Sequence, residues 1–385
     1  MSVALKDICT FQSGGTPSKS NPEYFNGSIP WITTVALNGR TIGENNAVDW
    51  ITDKAIQESA AKIVPAQSIM VGTRVGVGKV AVNSVPMSTS QDIISLVGID
   101  ENRWSKDYIC KFIQSKGSFL LAQARGATIK GIKIDVLADL QVPEIALEEQ
   151  RRIVRTLEHL LDSIDIRQKQ LDSLDQLIKA RFVEMFGDPF VNPMEWEQAI
   201  MKSVCKKITD GEHGSVPREA AGHPFLNAKH IKQNGTIDWQ TITYTSDEVH
   251  KRIYSRCNPE AGDILMTTTG TIGNVAIVPA VEEFSMDRGI TLLKLNRTIV
   301  SPRFVTWLLR FDAMQMIMTA NIHASAIGHL FLNKVEQLPV IVPPMQLQEQ
   351  FAAFVSQVDK SKLSIQASLD QLETLKQSLM QNYFG

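Results

Sequence analysis

The stretch of this sequence whose residue types best suit phosphate binding is GTRVGVGK, at positions 72–79. Glycines let the backbone approach an anion, and a terminal lysine can neutralise it. A phosphate-binding loop, however, has four residues between its glycines and a Ser or Thr after the lysine. Here five residues separate Gly72 from Gly78, and Val80 follows Lys79. The loop is therefore predicted to be a tight hairpin between two strands, turning at its last two glycines.

No other stretch carries a complete catalytic motif. FVNPMEW, at 191–197, contains the Asn-Pro of the Asn-Pro-Pro-aromatic motif of adenine methyltransferases, but it lacks the second proline and the aromatic residue after it. HExxH and GxSxG do not occur, and the histidines do not have the spacing of a zinc site. We therefore expect no catalytic residues, no metal and no cofactor bound by this chain.

The cysteines and the apolar segments indicate a cytoplasmic protein. Cys9, Cys110, Cys205 and Cys257 form no close pairs, which favours reduced thiols in the core. No apolar run approaches the ~18 residues that a membrane helix needs. The N-terminal sequence MSVALKDICTF lacks the charged and apolar regions of a signal peptide. We therefore expect a cytoplasmic location and no membrane partner.

The glycine loop belongs to a longer internal repeat, the feature that decides the architecture. The matching pairs are ALKDICTF (4–11) with IMKSVCKK (200–207), QSIMVGTRVGVGKVAV (67–82) with GDILMTTTGTIGNVAI (262–277), IKGIKIDVL (129–137) with IGHLFLNKV (327–335), and VPEIALEEQRRI (142–153) with VPPMQLQEQFAA (342–353). Helices are predicted at 105–124, with Ser105 as the N-cap, and at 301–320, with Ser301 as the cap before Pro302. The sequence thus predicts two related mixed α and β segments.

Each copy ends in a long segment with a narrow apolar stripe. No Pro or Gly interrupts 145–186 or 345–384, and apolar residues recur there in alternating steps of three and four. Sustained heptads of this kind predict a coiled coil. The predicted coiled-coil residues are Ile153, Leu157, Leu160, Ile164, Leu171, Leu174 and Ile178 in the first segment, and Phe354, Val358, Ile365, Leu372, Leu375 and Leu379 in the second.

This layout of globular segment, long helix, globular segment, long helix resembles the specificity subunit of type I restriction–modification systems. The motifs that carry the resemblance are SGGTPSKSNPEYFNGSIPWI (13–32), TRVGVGKVAV (73–82), and VPEIALEEQRRIV with its copy VPPMQLQEQFAAFV. The similarity extends over essentially the whole chain. The second segment departs from the first, because TDGEHGSVPREAAGHPFL (209–226) stands where SGGTPSK would be.

The resemblance implies an α+β fold with two mixed α/β target-recognition domains and two long helices that pair as an antiparallel coiled coil, in a pseudo-twofold internal repeat. The implied divisions are a first target-recognition domain at 1–145, a first long helix at 146–187, a second target-recognition domain at 188–342 and a second long helix at 343–385. Each domain would read one half of a split DNA sequence, and the helices would act as the spacer.

The resemblance also implies the partners of the chain. They are double-stranded DNA, two methyltransferase subunits that use S-adenosylmethionine, and restriction or motor subunits. In this interpretation the cofactor lies on the methyltransferase, and the chain itself recognises DNA without catalysis.

The residues expected to contact DNA are basic or short polar side chains of the glycine-rich and threonine-rich loops. In the first segment they are Ser13, Gly14, Gly15, Thr16, Ser18, Lys19, Arg74, Lys79, Gln91, Arg125, Lys130 and Lys133. In the second they are Arg218, Lys229, Lys232, Thr268, Asn274, Arg288, His329 and Lys334. Those expected to read base edges are Arg74, Gln91, Asn274, Arg288 and His329. The formal net charge of the chain is −2, so any basic surface must be local and balanced by acids elsewhere.

Two other functions remain open from the sequence. The globular segments could be protein-binding modules on a helical strut, which would make the chain a non-catalytic scaffold. A self-sufficient methyltransferase is disfavoured, because no cofactor glycine motif and no complete Asn-Pro-Pro motif is present.

Overall fold

The computed structural model describes residues 1–126, 131–281, 283–321 and 328–385. The chain divides into two compact units. The first unit contains Met1–Gln168 and Ala367–Gly385, and the second contains Lys169–Gln366. Both units combine helices with sheets, so the predicted mixed α/β class is confirmed at that level.

The strands of the first unit are β1 (Ser2–Ala4), β2 (Thr10–Ser13), β3 (Phe25–Ile32), β4 (Thr41–Ile42), β5 (Asp49–Ile51), β6 (Ile63–Val64), β7 (Ile69–Gly72), β8 (Val80–Asn83), β9 (Met87–Thr89), β10 (Ile93–Val97) and β11 (Gln141–Pro143). Its short helices are α1 (Asp53–Glu58), α2 (Lys106–Ser115), α3 (Gly117–Gln123) and α4 (Ile134–Ala138), with 3-10 turns at Leu5–Asp7, Pro22–Tyr24, Thr34–Ala36 and Glu44–Asn46. One sheet has the order β2-β10-β7-β8-β4, another has the order β5-β3-β9-β6, and β1 pairs with β11.

Both faces of the five-stranded sheet are buried. Because side chains alternate along a strand, Ile69 and Val71 of β7 join the core beneath α2, while Met70 joins a second core on the other face. Tyr108 and Phe112 of α2 fill the first of these cores and are fully buried. Burial on both faces explains why β7 and β8 read as continuous apolar runs.

The glycine loop is the predicted hairpin. Gly76 and Gly78 have φ values of 70° and 80°, which side chains with a Cβ rarely adopt. The Gly78 amide donates to the Gly72 carbonyl at 3.0 Å, and the Gly72 amide donates to the Lys79 carbonyl at 2.8 Å. These bonds close the turn between β7 and β8, and the hairpin prediction is confirmed.

The strands of the second unit are β12 (Glu197–Ile200), β13 (Cys205–Asp210), β14 (His223–Leu226), β15 (Thr243–Thr245), β16 (Ile264–Thr267), β17 (Val275–Ile277), β18 (Ser285–Met286), β19 (Ile290–Leu295) and β20 (Pro339–Val342). Its short helices are α6 (Met201–Val204), α7 (Asp247–Cys257), α8 (Pro302–Leu309), α9 (Asp312–Ala320) and α10 (Leu332–Glu336), with a 3-10 turn at Ala228–His230. The sheets have the orders β13-β19-β16-β17 and β15-β14-β18, and β12 pairs with β20.

The second unit repeats the hairpin of the first. The Gly273 amide donates to the Thr267 carbonyl, and the Thr267 amide donates to the Asn274 carbonyl, both at 2.9 Å. Gly273 has a φ of 91°, as its counterpart in the first unit has 80°. The sheet orders also correspond, because β13-β19-β16-β17 repeats β2-β10-β7-β8. The repeated sequence therefore forms a repeated structure within each unit.

Two helices of 40 residues complete the chain, α5 (Leu147–Phe186) and α11 (Met345–Phe384). The first turn of each helix contains a buried glutamine from the repeated Val-Pro motif. The Gln150 side chain accepts from the Ser105 amide at 2.8 Å and donates to the carbonyls of Arg103 and Ile145 at 3.0 and 2.9 Å.

The second helix begins in the same way. The Gln348 side chain accepts from the Ser301 amide at 2.8 Å and donates to the carbonyls of Ile299 and Pro343 at 3.1 and 2.8 Å. The repeated motif thus joins the start of each long helix to the loop that precedes α2 or α8.

The predicted helix caps differ in outcome. The Ser105 hydroxyl accepts from the Tyr108 amide and caps α2 as predicted. Pro302 is the first residue of α8, as predicted, but the Ser301 hydroxyl makes no capping bond there. That part of the prediction is wrong, and the Ser301 amide is held instead by Gln348.

The predicted apolar stripes are buried to different degrees. Ile153, Leu157, Leu160, Ile178 and Val358 are buried, whereas Ile164, Leu171, Leu174, Phe354, Ile365, Leu372 and Leu379 are half-buried. Leu375 is 47% exposed, so its assignment to the stripe is wrong. Lys376 is half-buried in its place. The reason is that 3.6 residues per turn do not match a strict repeat of 3.5, so the buried face drifts around the helix.

Candidate nucleic-acid interface

In the first unit, three predicted cations line one cleft of about 520 Å³. Arg74 extends from the β7–β8 hairpin, Arg125 follows α3, and Lys133 precedes α4. All three side chains are exposed. Among residues 1–126, 131–281, 283–321 and 328–385, none of the three has a carboxylate within ion-pair distance. The cleft therefore presents positive charge that described acids do not neutralise.

Backbone hydrogen bonds hold the walls of this cleft together. Arg125 and Gly131 exchange amide-to-carbonyl bonds of 2.9 and 3.0 Å, and the Ile132 amide donates to the Thr73 carbonyl at 2.8 Å. A Cβ on Gly131 would lie 2.9 Å from Cγ of Arg74. Glycine at this position therefore lets the two loops approach, and this approach brings Arg74 next to Arg125.

The other predicted residues of the first unit have varied positions. Ser13, Ser18, Lys19, Lys79 and Gln91 are exposed, Thr16 is half-buried, and Lys130 lies outside the described residues. The Gln91 amide lies 3.5 Å from the Thr16 hydroxyl, so those two loops are neighbours. As DNA contacts these residues stay predictions.

Gly14 and Gly15 are explained by packing. A Cβ on Gly14 would lie 2.2 Å from the Ser90 carbonyl oxygen, and one on Gly15 would lie 2.1 Å from that of Ala60. Gly15 is buried, and its carbonyl accepts from the Trp31 indole at 3.1 Å. Burial leaves Gly15 little surface for a phosphate, so we correct its assignment from DNA contact to close backbone packing.

In the second unit, Arg218, Lys229 and Arg288 line a cleft of about 480 Å³. The Arg218 guanidinium lies 3.8 Å above the ring of Phe225, which is fully buried. Loss of water around this guanidinium lowers its pKa, while the nearby Asp287 raises it. An arginine stacked in this way is oriented for a planar or bidentate partner.

The hairpin of the second unit is bonded to the segment before α10, as the hairpin of the first unit is bonded to the segment before α4. The Leu330 amide donates to the Thr268 carbonyl at 2.9 Å, as Ile132 does to Thr73 in the first unit. The Thr269 hydroxyl lies 2.7 Å from Nδ1 of His329. Burial, and then the charge of Arg288, lower the pKa of His329, so this imidazole is neutral at neutral pH.

Some predicted contacts of the second unit serve the fold instead. Thr268 is 1% exposed and its hydroxyl accepts from Thr291, so its assignment as a DNA contact is wrong. Nδ2 of the Asn274 side chain donates to the Ile231 carbonyl at 2.9 Å, which removes support for base reading by this residue. Lys232 is exposed but pairs with Asp238 at 3.0 Å, and the exposed Lys334 lies on α10.

Sequence reasoning missed two residues of the second cleft, Asn227 and Asp287. They follow β14 and β18, and Nδ2 of the Asn227 side chain donates to the Asp287 carboxylate at 2.6 Å. They are 60 positions apart in the chain, and neither belongs to a recognisable motif. The parallel pairing of β14 with β18 brings them together.

Burial raises the pKa of Cys9, Cys110 and Cys205 to about 12, so these thiols stay protonated at neutral pH.

No cluster of His, Cys, Asp and Glu with the arrangement of a metal site occurs within the described ranges. Within the same ranges, no helix has the length and apolar character required to span a bilayer.

Known proteins resemble this chain in both sequence and fold. The family described as "Type I restriction modification DNA specificity domain" matches residues 1–176 and 218–374. The chain is 24% identical to the type I restriction enzyme MjaIX specificity subunit of Methanocaldococcus jannaschii, over 98% of this chain and 90% of that protein. It is 34% identical to the EcoR124I/EcoR124II specificity subunit of Escherichia coli, over 45% of this chain and 46% of that protein. The crystal structure of the type I restriction-modification S subunit from M. genitalium has a similar fold, with a TM-score of 0.55, 16% identity, and coverage of 100% of this chain and 96% of that one.

Proposed function

Because the chain belongs to the family of type I restriction–modification DNA specificity subunits, we propose that it reads a split, asymmetric DNA target with one cleft in each unit. The observation that carries this proposal is the pair of basic clefts. Each is lined in part by the glycine hairpin of its unit, through Arg74 in the first and Thr269 in the second, and each contains three predicted cations. Two different clefts suit two different half-sites.

The side chains of the clefts support a division between anchoring and reading. Exposed cations such as Arg125, Lys133 and Lys229 suit phosphate oxygens, which fix the register on a duplex without reading its sequence. Arg74, Gln91, Arg288 and His329 remain our proposed base-reading residues in the two units. Guanidinium and amide groups match base edges of the major groove.

We further propose that α5 and α11 pair as an antiparallel coiled coil that sets the distance between the half-sites. Contacts in the second unit support this orientation. Lys362 pairs with Asp175, and the Phe351 ring lies 5.5 Å from the Phe182 ring. The residue numbers on α11 fall as those on α5 rise, as antiparallel helices require.

The helix ends support a pseudo-twofold arrangement. In the first unit, Phe384 at the end of α11 packs on Tyr108 of α2, with ring centroids 5.2 Å apart. In the second unit, Phe186 at the end of α5 packs on Phe304 of α8 at 4.9 Å. Since α2 and α8 are equivalent in the repeat, each unit receives the end of one long helix in the same way.

The proposed partners follow from the family. Two methyltransferase subunits would bind the chain, hold S-adenosylmethionine and methylate adenines, and restriction or motor subunits would join them. In this proposal the chain supplies recognition and position and performs no chemical step. The proposed divisions remain 1–145 and 188–342 for recognition, with 146–187 and 343–385 as the long helices.

Methylation mapping tests this function. The chain is co-expressed with its methyltransferase subunits, and methylated adenines are mapped across the host genome by long-read sequencing. We expect one motif made of two different half-sites separated by a gap of unspecified bases. Cells that lack the specificity chain but express the methyltransferase are the control. An uninterrupted motif, or the same motif in the control cells, would contradict the proposal.

A further inference from the structure

We propose that Asn227 reads an adenine in the half-site bound by the second unit, and that Asp287 is the positioning residue that orients its amide. This inference rests on the proposed function, which it extends to one base contact. Both residues line the cleft that also contains Arg218, Lys229 and Arg288.

The hydrogen bonds around Asp287 hold its carboxylate in one place. Oδ2 accepts from Nδ2 of Asn227 at 2.6 Å, and Oδ1 accepts from the Gly289 amide at 2.9 Å. The Asp287 amide itself donates to the Leu226 carbonyl at 3.0 Å. One oxygen is thus fixed by the backbone, and the other faces the asparagine.

The carboxylate determines which way the asparagine amide points. An ionised carboxylate only accepts hydrogen bonds, so the NH₂ group of Asn227 must face Asp287. The backbone of Asn227 is held separately, because its amide donates to Nδ1 of His230 at 2.9 Å and its carbonyl accepts from the His230 amide at 3.0 Å. Among the described residues, no hydrogen bond engages the side-chain oxygen or the second N–H of Asn227, so both are available to a ligand.

That donor and acceptor pair matches adenine. In the major groove adenine presents the N7 acceptor beside the N6 donor, and an asparagine amide can engage both. An amide that is free to flip would fit other edges as well. An amide held by Asp287 presents one order of donor and acceptor, so it discriminates.

The charges of the cleft favour a base edge over a phosphate at this point. Lys229 suits the DNA backbone, but the Asp287 carboxylate in the same cleft repels phosphate. We therefore expect a neutral, hydrogen-bonding group, and not a phosphate, to lie next to Asp287. The neutral edge of a base is such a group.

The first unit has the same backbone at this point but different side chains. The Ser90 amide donates to the Ile32 carbonyl at 2.9 Å, as the Asp287 amide does to Leu226. Thr33, which precedes a 3-10 turn as Asn227 does, has φ −115° and ψ 177°, against −114° and 164° for Asn227. The first unit thus has a threonine and a serine in place of the asparagine and the carboxylate, and it should not read adenine in this way.

Selection from a random DNA library tests the inference. The full chain is purified in complex with its methyltransferase subunits, bound sequences are enriched, and base preferences are read by sequencing. In the Asn227→Ala complex we expect adenine preference to fall roughly 5- to 150-fold at one position of the second half-site. The first half-site and the gap should not change. Asp287→Asn should weaken preference at that same position, because an amide there no longer fixes the orientation of Asn227.

Control variants separate reading from folding and from anchoring. Lys229→Ala should lower affinity for all sequences without changing any base preference, and Thr33→Ala should leave the second half-site intact. Thermal unfolding of each complex shows whether it is folded. If the Asn227→Ala complex is unstable, the base preferences of Asn227→Ser and Asp287→Asn test the adenine contact instead.

The outcomes distinguish this inference from the proposed function. If the wild-type complex selects no split motif, the proposed function fails. If it selects a split motif that folded variants at Asn227 and Asp287 leave unchanged, only the adenine contact is overturned. A changed preference in the first half-site would also overturn it.

Discussion

At the scale of single residues, the cations of the clefts differ from many others on the surface, because none has a carboxylate within ion-pair distance among the residues that the structure describes. Lys6 pairs with Asp139 at 2.8 Å, and Arg103 pairs with Glu144, so these positive charges are neutralised locally. Arg125, by contrast, has no carboxylate partner among the described residues. This difference explains how a chain with a net charge of −2 can still present a basic surface.

Arg125→Ala should weaken DNA binding by about the same factor for every sequence, because a phosphate contact carries no base information. The slope of log K against log salt concentration should become shallower by about 0.9, the contribution of one neutralised phosphate. Titrations of the purified complex with duplex DNA at several salt concentrations measure this slope. Arg103→Ala is the matched control, because Glu144 already pairs with that arginine. An unchanged slope in Arg125→Ala would show that this cation does not contact the backbone.

At the scale of the elements, a buried glutamine connects each long helix to the unit from which it starts. Gln150 is 1% exposed and Gln348 is fully buried. Each satisfies one backbone amide and two carbonyls at a junction where chain segments would otherwise bury unpaired polar groups. The junction thereby holds the direction of the helix relative to the sheet of its unit.

Gln150→Ala should reduce the free energy of unfolding by about 2–5 kcal/mol, because it leaves the Ser105 amide and two carbonyls without partners. Gln150→Glu should also destabilise the chain, since a carboxylate cannot donate to those carbonyls. Urea unfolding of the full chain measures both changes. The exposed Gln176 on the same helix supplies the control variant, Gln176→Ala. If Gln150→Ala had the same free energy of unfolding as Gln176→Ala, the hydrogen bonds of Gln150 would not stabilise the chain.

The length of the helices should determine the gap of the DNA target. Four residues inserted after Arg167 add one helical turn, about 6 Å. At ~3.4 Å per base pair, the gap should grow by one or two pairs while both half-sites stay the same. Methylation mapping with the co-expressed methyltransferase measures the gap.

A two-residue insertion at the same place is the control for helix register. It should rotate the apolar stripe by about 200° and impair assembly rather than lengthen the gap. If the gap stayed constant after the four-residue insertion, or if the half-site bases changed, the length of the helices would not determine the gap.

At the scale of the whole molecule, each unit contains the last residues of a long helix that begins in the other unit. Each long helix ends in Phe-Gly, at Phe186 and at Phe384. Each phenylalanine fills the same place against α8 or α2 of the unit that receives it. A unit therefore needs the end of a helix that did not start from it.

Truncation after Asp188 should convert the chain into a homodimer. The fragment keeps α5 but loses Phe384, so Tyr108 and Phe112 lose a fully buried aromatic neighbour. Phe186 of a second copy can fill that place, which makes a twofold pair with a palindromic target. Analytical ultracentrifugation measures the mass, and Phe186→Ala in the fragment should weaken the dimer. A wild-type fragment that is folded and strictly monomeric would contradict this.

The features that the sequence alone determined are those with local causes. The hairpin at 72–79 follows from glycines whose positive φ the turn requires. The extents of α5 and α11 follow from apolar spacing without Pro or Gly, and the repeat follows from matched segments. The family follows from the same motifs. The hairpin and the helices depend on residues near one another in the chain, and the repeat and the family depend on the order of residue types, so the sequence displays all of them directly.

Only the tertiary structure decided which polar side chains line a cleft. Thr268 and Arg218 both lie outside helices and strands, yet packing buries the first and stacks the second on Phe225. Asn227 meets Asp287 across 60 positions because two parallel strands end side by side. Burial and long-range hydrogen bonds depend on how distant segments pack, and residue type at a single position does not encode that packing.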